Sequence, residues 1–147
     1  MRTLLDTHVF LGLLAEPERV PMAVRTAVDT AEIRFLSVAS IWEMAIKASL
    51  GKLVLPLPVG EYVASRITRL QCTILPISER HAAAVQSLPF HHRDPFDRLI
   101  VAQAMIEDAV LLTLDKGLSQ YDVAAIPSVA PAKTKQKRRS TRTRKIT

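Results

Sequence analysis

The chain has 147 residues, of which 48% are hydrophobic, a formal net charge of +6 and a single cysteine. This composition fits one globular domain with its own core, and no apolar run approaches the roughly 18 residues of a membrane helix, so no membrane partner is expected. One cysteine excludes an internal disulfide, a paired-thiol redox motif and a cysteine-rich zinc site, so we expect a reducing, cytoplasmic setting.

Short β-rich runs alternate with helical patterns along the first 126 residues. Asp6 and His8 interrupt the apolar N-terminal stretch, which argues against a signal peptide. In chain order, the patterns predict a strand at 3–5, helices at 22–32 and 40–53 around a strand at 33–38, a helix at 58–70, a strand at 72–77, helices at 79–88 and 95–109, a strand at 110–114 and a weak strand at 123–126.

Several of these helices have capping candidates. Ser40 followed by Glu43 is typical of a capping box, and Gly51 is typical of a helix end. Ser78 is a candidate N-cap of its helix, and Asp94 followed by proline is another.

Strands separated by helices predict right-handed crossovers. We therefore expect an α/β fold of three layers, α/β/α, with a mostly parallel sheet of about five short strands. In such sheets ligands bind beyond the carboxyl ends of the strands. Asp6 and Asp115 each follow a predicted strand, so they should share one edge of the sheet.

The positive charge is concentrated at the C-terminus. Residues 133–147 hold 8 of the 20 Lys and Arg, whereas all 14 Asp and Glu precede residue 133. Residues 1–131 are predicted to form the folded domain and 132–147 a basic, disordered tail. Such a tail either binds nucleic acid through phosphate contacts or is simply solvated.

Five acids have local structural explanations that compete with a functional one. Glu43 suits a capping box, Asp94 an N-cap, Asp97 the helix dipole and Asp115 a turn, whereas Asp6 is harder to explain. In a three-layer fold, however, acids that end strands and acids that open helices collect above one sheet edge. Such a cluster repels itself unless a cation neutralises it, and Mg²⁺ and Mn²⁺ prefer carboxylates. One or two ions there would activate water and steady the leaving oxygen of a phosphodiester.

Other chemistries have weaker support. The chain has no phosphate-binding GxxxxGK[ST] loop and no HExxH zinc helix, and Asp6-Thr7-His8 lacks the second acid of a phosphatase Asp-x-Asp start. His81, interpreted as a helix surface residue, does not form a zinc ligand set with His91 and His92. His92 is a candidate for positioning a phosphate or bonding to a neighbouring acid. Arg98 is a candidate for restraining acids or contacting the phosphate backbone of a nucleic acid.

Four stretches carry a resemblance to a known family. They are LLDTHVFLG, LSVASIWEMAIKASLGKL, LPFHHRDPFDRLIVAQA and LLTLDKGLSQYDV, and they follow one another over about residues 3–127. With them the chain resembles PIN-domain ribonucleases of the VapC type, the toxin half of type II toxin–antitoxin pairs. The DPFDR motif points to one sub-branch of that family.

The resemblance implies an endoribonuclease that uses Mg²⁺ or Mn²⁺ and hydrolyses RNA directly, without a covalent nucleophile. It also implies a PIN-like fold, a homodimer and a small antitoxin that blocks the acidic pocket. The implied metal ligands and catalytic residues are Asp6, Glu43, Asp97 and Asp115, while Asp94, Thr7 and Thr113 are implied to support them.

Three alternatives stay open. The chain could be a non-cleaving RNA-binding module of the same fold that binds mainly through its tail. It could be a PIN-like nuclease directed at DNA, or an unrelated α/β scaffold whose acids are helix caps.

Overall fold

One parallel sheet of five short strands forms the centre of the molecule. The computed structural model describes residues 1–126. The strand order is β3-β2-β1-β4-β5, with all pairs parallel, and the strands are β1 Arg2–Leu5, β2 Ile33–Ser37, β3 Cys72–Leu75, β4 Val110–Leu112 and β5 Ala125–Ile126. The predicted parallel α/β fold is confirmed, whereas the predicted boundary at residue 131 and the basic tail lie outside the described residues.

In the part of the chain that the structure describes, six helices cover the sheet. They are α1 Thr7–Ala15, α2 Met22–Thr30, α3 Val38–Ser49, α4 Val59–Leu70, α5 Glu79–Ala84 and α6 Pro95–Ile106, with short 3₁₀ turns at Pro17–Arg19, Val85–Ser87 and Leu118–Gln120. Within residues 1–126, none of these helices is long and apolar enough to cross a membrane.

The alternation of side chains along the strands gives each face of the sheet a core of its own. Leu4 of β1 packs in the core that contains Ile100 of α6, whereas its neighbour Leu5 packs with Val9 of α1 and Val24 of α2. All five of these side chains are fully buried. Because successive strand residues point to opposite faces, one short strand serves both layers. This arrangement is the expected three-layer α/β/α architecture.

The N-terminal half departs from the sequence prediction in two places. Helix α1, which begins directly after β1, was not predicted, and Asp6 is its N-cap. Helix α3 begins at Val38 with Ser37 as N-cap, so the predicted capping box of Ser40 and Glu43 is wrong. Both residues are instead buried inside the helix, because they face α1 rather than solvent.

The C-terminal half agrees with the prediction more closely. Ser78 and Asp94 are the N-caps of α5 and α6, as expected. His81 is only 2% exposed, however, so its interpretation as a surface residue is wrong. Its ring bonds to Glu107 and to the backbone of Ser78, which satisfies both nitrogens inside the fold.

The turn after α3 depends on the left-handed backbone of Gly51, which has a φ of +70°. A Cβ there would have no described atom within 4 Å, so any cost of a side chain is conformational. We expect Gly51→Ala to lower the free energy of unfolding by about 1 kcal/mol. Gly60→Ala, in the first turn of α4, should raise it by roughly 0.5 kcal/mol. Urea unfolding of both variants measures the difference, and equal stabilities would contradict this account.

Candidate active site

The predicted acids converge on one pocket of about 470 Å³. The pocket opens where β1 and β4 end and where α6 begins, and one side of it is formed by α3. It is lined by Asp6, His8, Glu43, Lys47, His92, Asp94, Asp97, Leu114, Asp115 and Lys116. All four acids expected from the sequence are therefore present together, with Asp94 and His92 beside them.

Asp6 is a carboxylate at the edge of the sheet with little access to water. It is 4% exposed, its Oδ1 accepts from Val9 N at 2.8 Å, and its Oδ2 accepts from Thr113 Oγ1 at 2.5 Å. Burial raises the pKa of Asp6, while the bonds from Thr113 and Val9 act against that rise. The site thus contains an acid that its own fold destabilises in the charged form.

Glu43 reaches the pocket from the middle of α3. It is 3% exposed, and its Oε1 accepts a hydrogen bond of 2.6 Å from the Thr7 hydroxyl. Its Oε2 pairs with Lys47 Nζ at 2.8 Å, one turn further along the same helix. The Thr7 oxygen also lies 2.9 Å from the Ser40 hydroxyl. Because both carboxylate oxygens are held, the direction of the Glu43 side chain is fixed.

His92 connects the loop before α6 to the acid that follows β4. Its Nδ1 accepts from the backbone N–H of Asp94 at 3.1 Å, which leaves the ring proton of the neutral form on Nε2. Nε2 lies 2.9 Å from Asp115 Oδ2 and 3.5 Å from Asp97 Oδ2. His92 is therefore placed as a donor between two acids.

Asp115 is held by a tight turn as well as by His92. Its Oδ1 accepts from Gly117 N at 2.8 Å, and its own backbone N–H donates to Thr113 Oγ1 at 2.9 Å. The Thr113 hydroxyl thus joins two acids, since it donates to Asp6 and accepts from the Asp115 backbone. A side chain at Gly117 would approach Asp115 Oδ1 to 3.1 Å, so a small residue suits this position.

Asp94 and Asp97 both belong to the start of α6 but have different surroundings. Asp94 Oδ1 accepts from the backbone N–H groups of Phe96 and Asp97, at 2.8 and 3.2 Å. Burial raises the pKa of Asp97 to about 7, with further contributions from the negative charges of Asp94, Glu43 and Asp6. The charge of His92 acts in the opposite direction. Both burial and the neighbouring acids therefore oppose the ionisation of Asp97.

Arg98 is buried and does not line the pocket. Its guanidinium donates to the carbonyls of Pro89, Val85 and Leu88 and to the Tyr121 hydroxyl. That hydroxyl also accepts from His92 N at 3.0 Å. This placement favours a supporting role, through Tyr121 and the His92 loop, over a contact with substrate.

The donor chemistry of the pocket fits a divalent cation. Five carboxylates line it together with two lysines, so negative charge is in excess. One oxygen each of Asp97 and Asp115 and a ring nitrogen of His92 lie within 4.8 Å of one another. Because His92 Nε2 carries the proton, we favour the carboxylates as ligands and His92 as their hydrogen-bond donor. Oxygen donors of this kind suit Mg²⁺ or Mn²⁺.

Sequence reasoning missed four residues of the pocket lining, namely His8, Lys47, Leu114 and Lys116. Lys47 had a usable signal, because it stands four residues after Glu43 in a predicted helix and such pairs face each other. Lys116 directly follows Asp115, whereas His8 belongs to a helix that was not expected. The two lysines give the pocket some positive charge of its own.

The fold and the pocket define a class: a parallel three-layer α/β domain with an acid cluster at the carboxyl edge of its sheet. The PIN domain family model matches residues 3–124, and the chain belongs to that family.

Comparisons with individual relatives agree with this family assignment. The chain is 31% identical to Ribonuclease VapC22 of Mycobacterium tuberculosis over 119 residues, which is 80% of this chain and 90% of the relative. Its fold is similar to a chain in the DNA-bound VapBC structure of Salmonella typhimurium, with a TM-score of 0.64, 15% identity and coverage of 85% and 96%. For VapBC2 of Rickettsia felis, bound to a DNA fragment from its promoter, the TM-score is 0.63, with 14% identity and coverage of 85% and 97%.

Asp97 should make the metal-free domain less stable as pH rises. Its pKa is 3.8 when unperturbed and about 7 in the fold, so the folded state binds the extra proton between these values. The stability contribution is fully present below pH 3.8 and is lost as pH rises to about 7. Asp97→Asn should remove this loss and equal or exceed wild-type stability at pH 8 in EDTA.

Thermal unfolding with and without Mg²⁺ or Mn²⁺ measures this effect. The ions should raise the Tm of the wild type, and raise that of Asp97→Asn less. Asp29→Asn, which removes an exposed acid on α2, is the control and should follow the wild type. A clear loss of metal-free stability in Asp97→Asn would instead assign the residue to the helix dipole.

Proposed function

We propose that this chain is a divalent-metal-dependent endoribonuclease that acts as the toxin of a toxin–antitoxin pair. The observation that carries the proposal is the meeting of four carboxylates from four separate segments in one pocket: Asp6, Glu43, Asp97 and Asp115. The 31% identity to a protein named Ribonuclease VapC22 supports RNA as the substrate.

In this proposal the same four acids hold Mg²⁺ or Mn²⁺. When bound, such a cation supplies the positive charge that favours attack of water on a phosphodiester and stabilises the departing oxygen. Thr113 and Thr7 keep oxygens of Asp6 and Glu43 in place through their hydroxyl bonds. Asp97, whose pKa is near neutrality, becomes fully ionised once positive charge enters the pocket.

The remaining polar residues of the pocket have supporting roles. His92 donates to Asp115 and lies beside Asp97, so it orients both acids. Lys47 lines the pocket while paired with Glu43, and its ammonium is placed to meet a phosphate of the substrate. Asp94 fixes the first turn of α6, and with it the position of Asp97.

The proposal extends to partners and location. Structures of VapBC complexes resemble this fold, and they motivate a cognate antitoxin that blocks the acidic pocket of this chain. We further propose a homodimer, as the family resemblance implies. A cytoplasmic location agrees with a chain that contains one cysteine.

Removal of the metal or of one ligand should abolish cleavage. Wild-type protein in Mg²⁺ or Mn²⁺ should cut single-stranded RNA, and EDTA should stop it. Asp6→Asn should reduce the rate by about 100-fold or more, since losing even a supporting group of a metal site costs roughly 10- to 100-fold. A gel assay with end-labelled RNA measures both effects.

Asp29→Asn serves again as the matched control, because it removes an acid outside the pocket, and it should retain the wild-type rate. Cleavage that survives both EDTA and Asp6→Asn would refute the proposal. Matched single-stranded DNA in the same assay decides between an RNA-directed and a DNA-directed nuclease, and the proposal expects RNA to be cut faster.

The basic segment 132–147 provides a test against the non-cleaving alternative. Deleting these residues should leave metal-dependent cleavage in place, because all four proposed ligands precede them. RNA binding should become weaker and less sensitive to salt, since phosphate contacts are lost. Loss of RNA association together with an absence of cleavage in both forms would favour a binding module. Filter binding at two salt concentrations, beside the cleavage assay, gives the answer.

A further inference from the structure

Trp42 is exposed although it is the largest apolar residue of the chain. It is the sole tryptophan, and 56% of its surface is open to solvent. Its ring makes a T-shaped contact with the ring of Phe96, with the centroids 5.0 Å apart and the planes at 82°. An aromatic partner on another helix therefore holds the indole in place while much of its surface stays free.

Each ring of the aromatic pair belongs to the residue that comes directly before a pocket acid. Trp42 directly precedes Glu43 on α3, and Phe96 directly precedes Asp97 on α6. Adjacent Cα atoms are about 3.8 Å apart, so the pair is fixed to the same two backbone segments that carry two of the acids. Neither ring lines the pocket itself, so a ligand seated at the carboxylates would reach the indole by extending beyond the acids.

We propose that Trp42 is a stacking site for an unpaired base of the RNA that the pocket would cleave, with Phe96 as the residue that positions the indole. This inference rests on the proposed function. Bases stack on aromatic side chains with little dependence on sequence, because every base has a π face. Single-stranded RNA offers such bases, whereas paired RNA does not.

The negative charge of the pocket is the reason why an uncharged stacking contact beside it matters for RNA binding. Five carboxylates surround the position of the scissile phosphate, so the site itself repels a polyanion until cations enter. A neutral stacking contact next to the pocket contributes affinity without adding charge to the cluster. It would also fix which phosphate of the strand lies over the acids.

An apolar stripe along α3 suggests another occupant for the same surface. Val38, Ile46 and Leu50 are exposed at four-residue intervals on either side of Trp42, as in a helix that docks on a protein. Trp42 differs from them because it contacts Phe96, next to the pocket acid Asp97. Leu50, which is 61% exposed, lies about 12 Å further along the helix axis and is the matched control.

Intrinsic fluorescence reports on Trp42 alone, since the chain has no other tryptophan. Full-length Asp6→Asn protein in Mg²⁺, which should bind without cutting, is titrated with a ten-nucleotide oligoadenylate. A ten-unit abasic ribose-phosphate oligomer with the same charge is the comparison. We expect saturable quenching by the oligoadenylate and little by the abasic oligomer. Equal quenching by both, or by neither, overturns the proposal.

Kinetics on full-length protein with single-stranded RNA provides the second measurement. Trp42→Leu keeps an apolar contact for Phe96 but removes the stacking face, and it should raise KM on the order of 10-fold, within the range of base–aromatic stacking. Its kcat should change much less, because no group at the reacting phosphate is altered. Trp42→Tyr should recover most of the loss, and Leu50→Ser should match the wild type. A Trp42→Leu variant with unchanged KM contradicts the stacking site.

Sedimentation of the same variants identifies a protein occupant. If Trp42→Leu and Leu50→Ser both lower the oligomeric state and impair cleavage equally, α3 is an interface between copies and the proposal is overturned.

Failure of the stacking inference is separable from failure of the proposed function. Cleavage without base-dependent quenching rejects the stacking site alone, and base-dependent quenching without cleavage rejects the hydrolysis alone.

Discussion

Asp6 occupies the position on which the rest of the site depends. It directly follows the central strand β1. Its backbone N–H donates to Leu112 O at 2.9 Å, which extends the hydrogen bonding between β1 and β4 by one residue. Its carboxylate is therefore placed at the middle of the sheet edge, where burial disfavours the charged form. The fold offsets this cost with two short hydrogen bonds, from Val9 N and from the Thr113 hydroxyl. The same bonds determine where its oxygens face.

Two threonines hold carboxylates of the pocket in the same way, each by a hydrogen bond from its hydroxyl. Thr113 donates to Asp6 from the residue after β4, and Thr7 donates to Glu43 from the first residue of α1. Each hydroxyl fixes one oxygen of a nearly buried acid without neutralising its charge. A lysine or arginine in place of Thr113 would form an ion pair with Asp6 and reduce the attraction for a cation, whereas Glu43 already pairs with Lys47. The pocket therefore stays negative while its geometry is held.

Much of the fold and the membership of the site could be predicted from the sequence. Alternating strand and helix patterns implied a parallel sheet, and acids after β1 and β4 then had to share its carboxyl edge. Helix α1 was missed because its apolar residues are arranged around much of the helix and show little periodicity, so the amphipathic pattern was weak. Capping rules consider only residues that are close in sequence, and on that basis Ser40 was predicted to be an N-cap. In the fold its hydroxyl contacts Thr7, which is 33 residues away.

The hydrogen bonds that hold the loop before α6 could not be predicted from the sequence either. His92 bonds to Asp115 across 23 residues, and Arg98 bonds to Tyr121 across the same separation. The sequence shows Arg98 only as the residue after Asp97, whereas the fold buries it and gives it four acceptors.

These bonds connect the start of α6 to the segment after β4, which are the two segments that carry Asp97 and Asp115. Without such a connection, mutual repulsion would drive the two carboxylates apart. The His92 proton lies between them and reduces that repulsion. The pocket thus keeps Asp97 and Asp115 close through hydrogen-bond donors that the fold supplies, so carboxylate oxygens that suit a cation are already near one another.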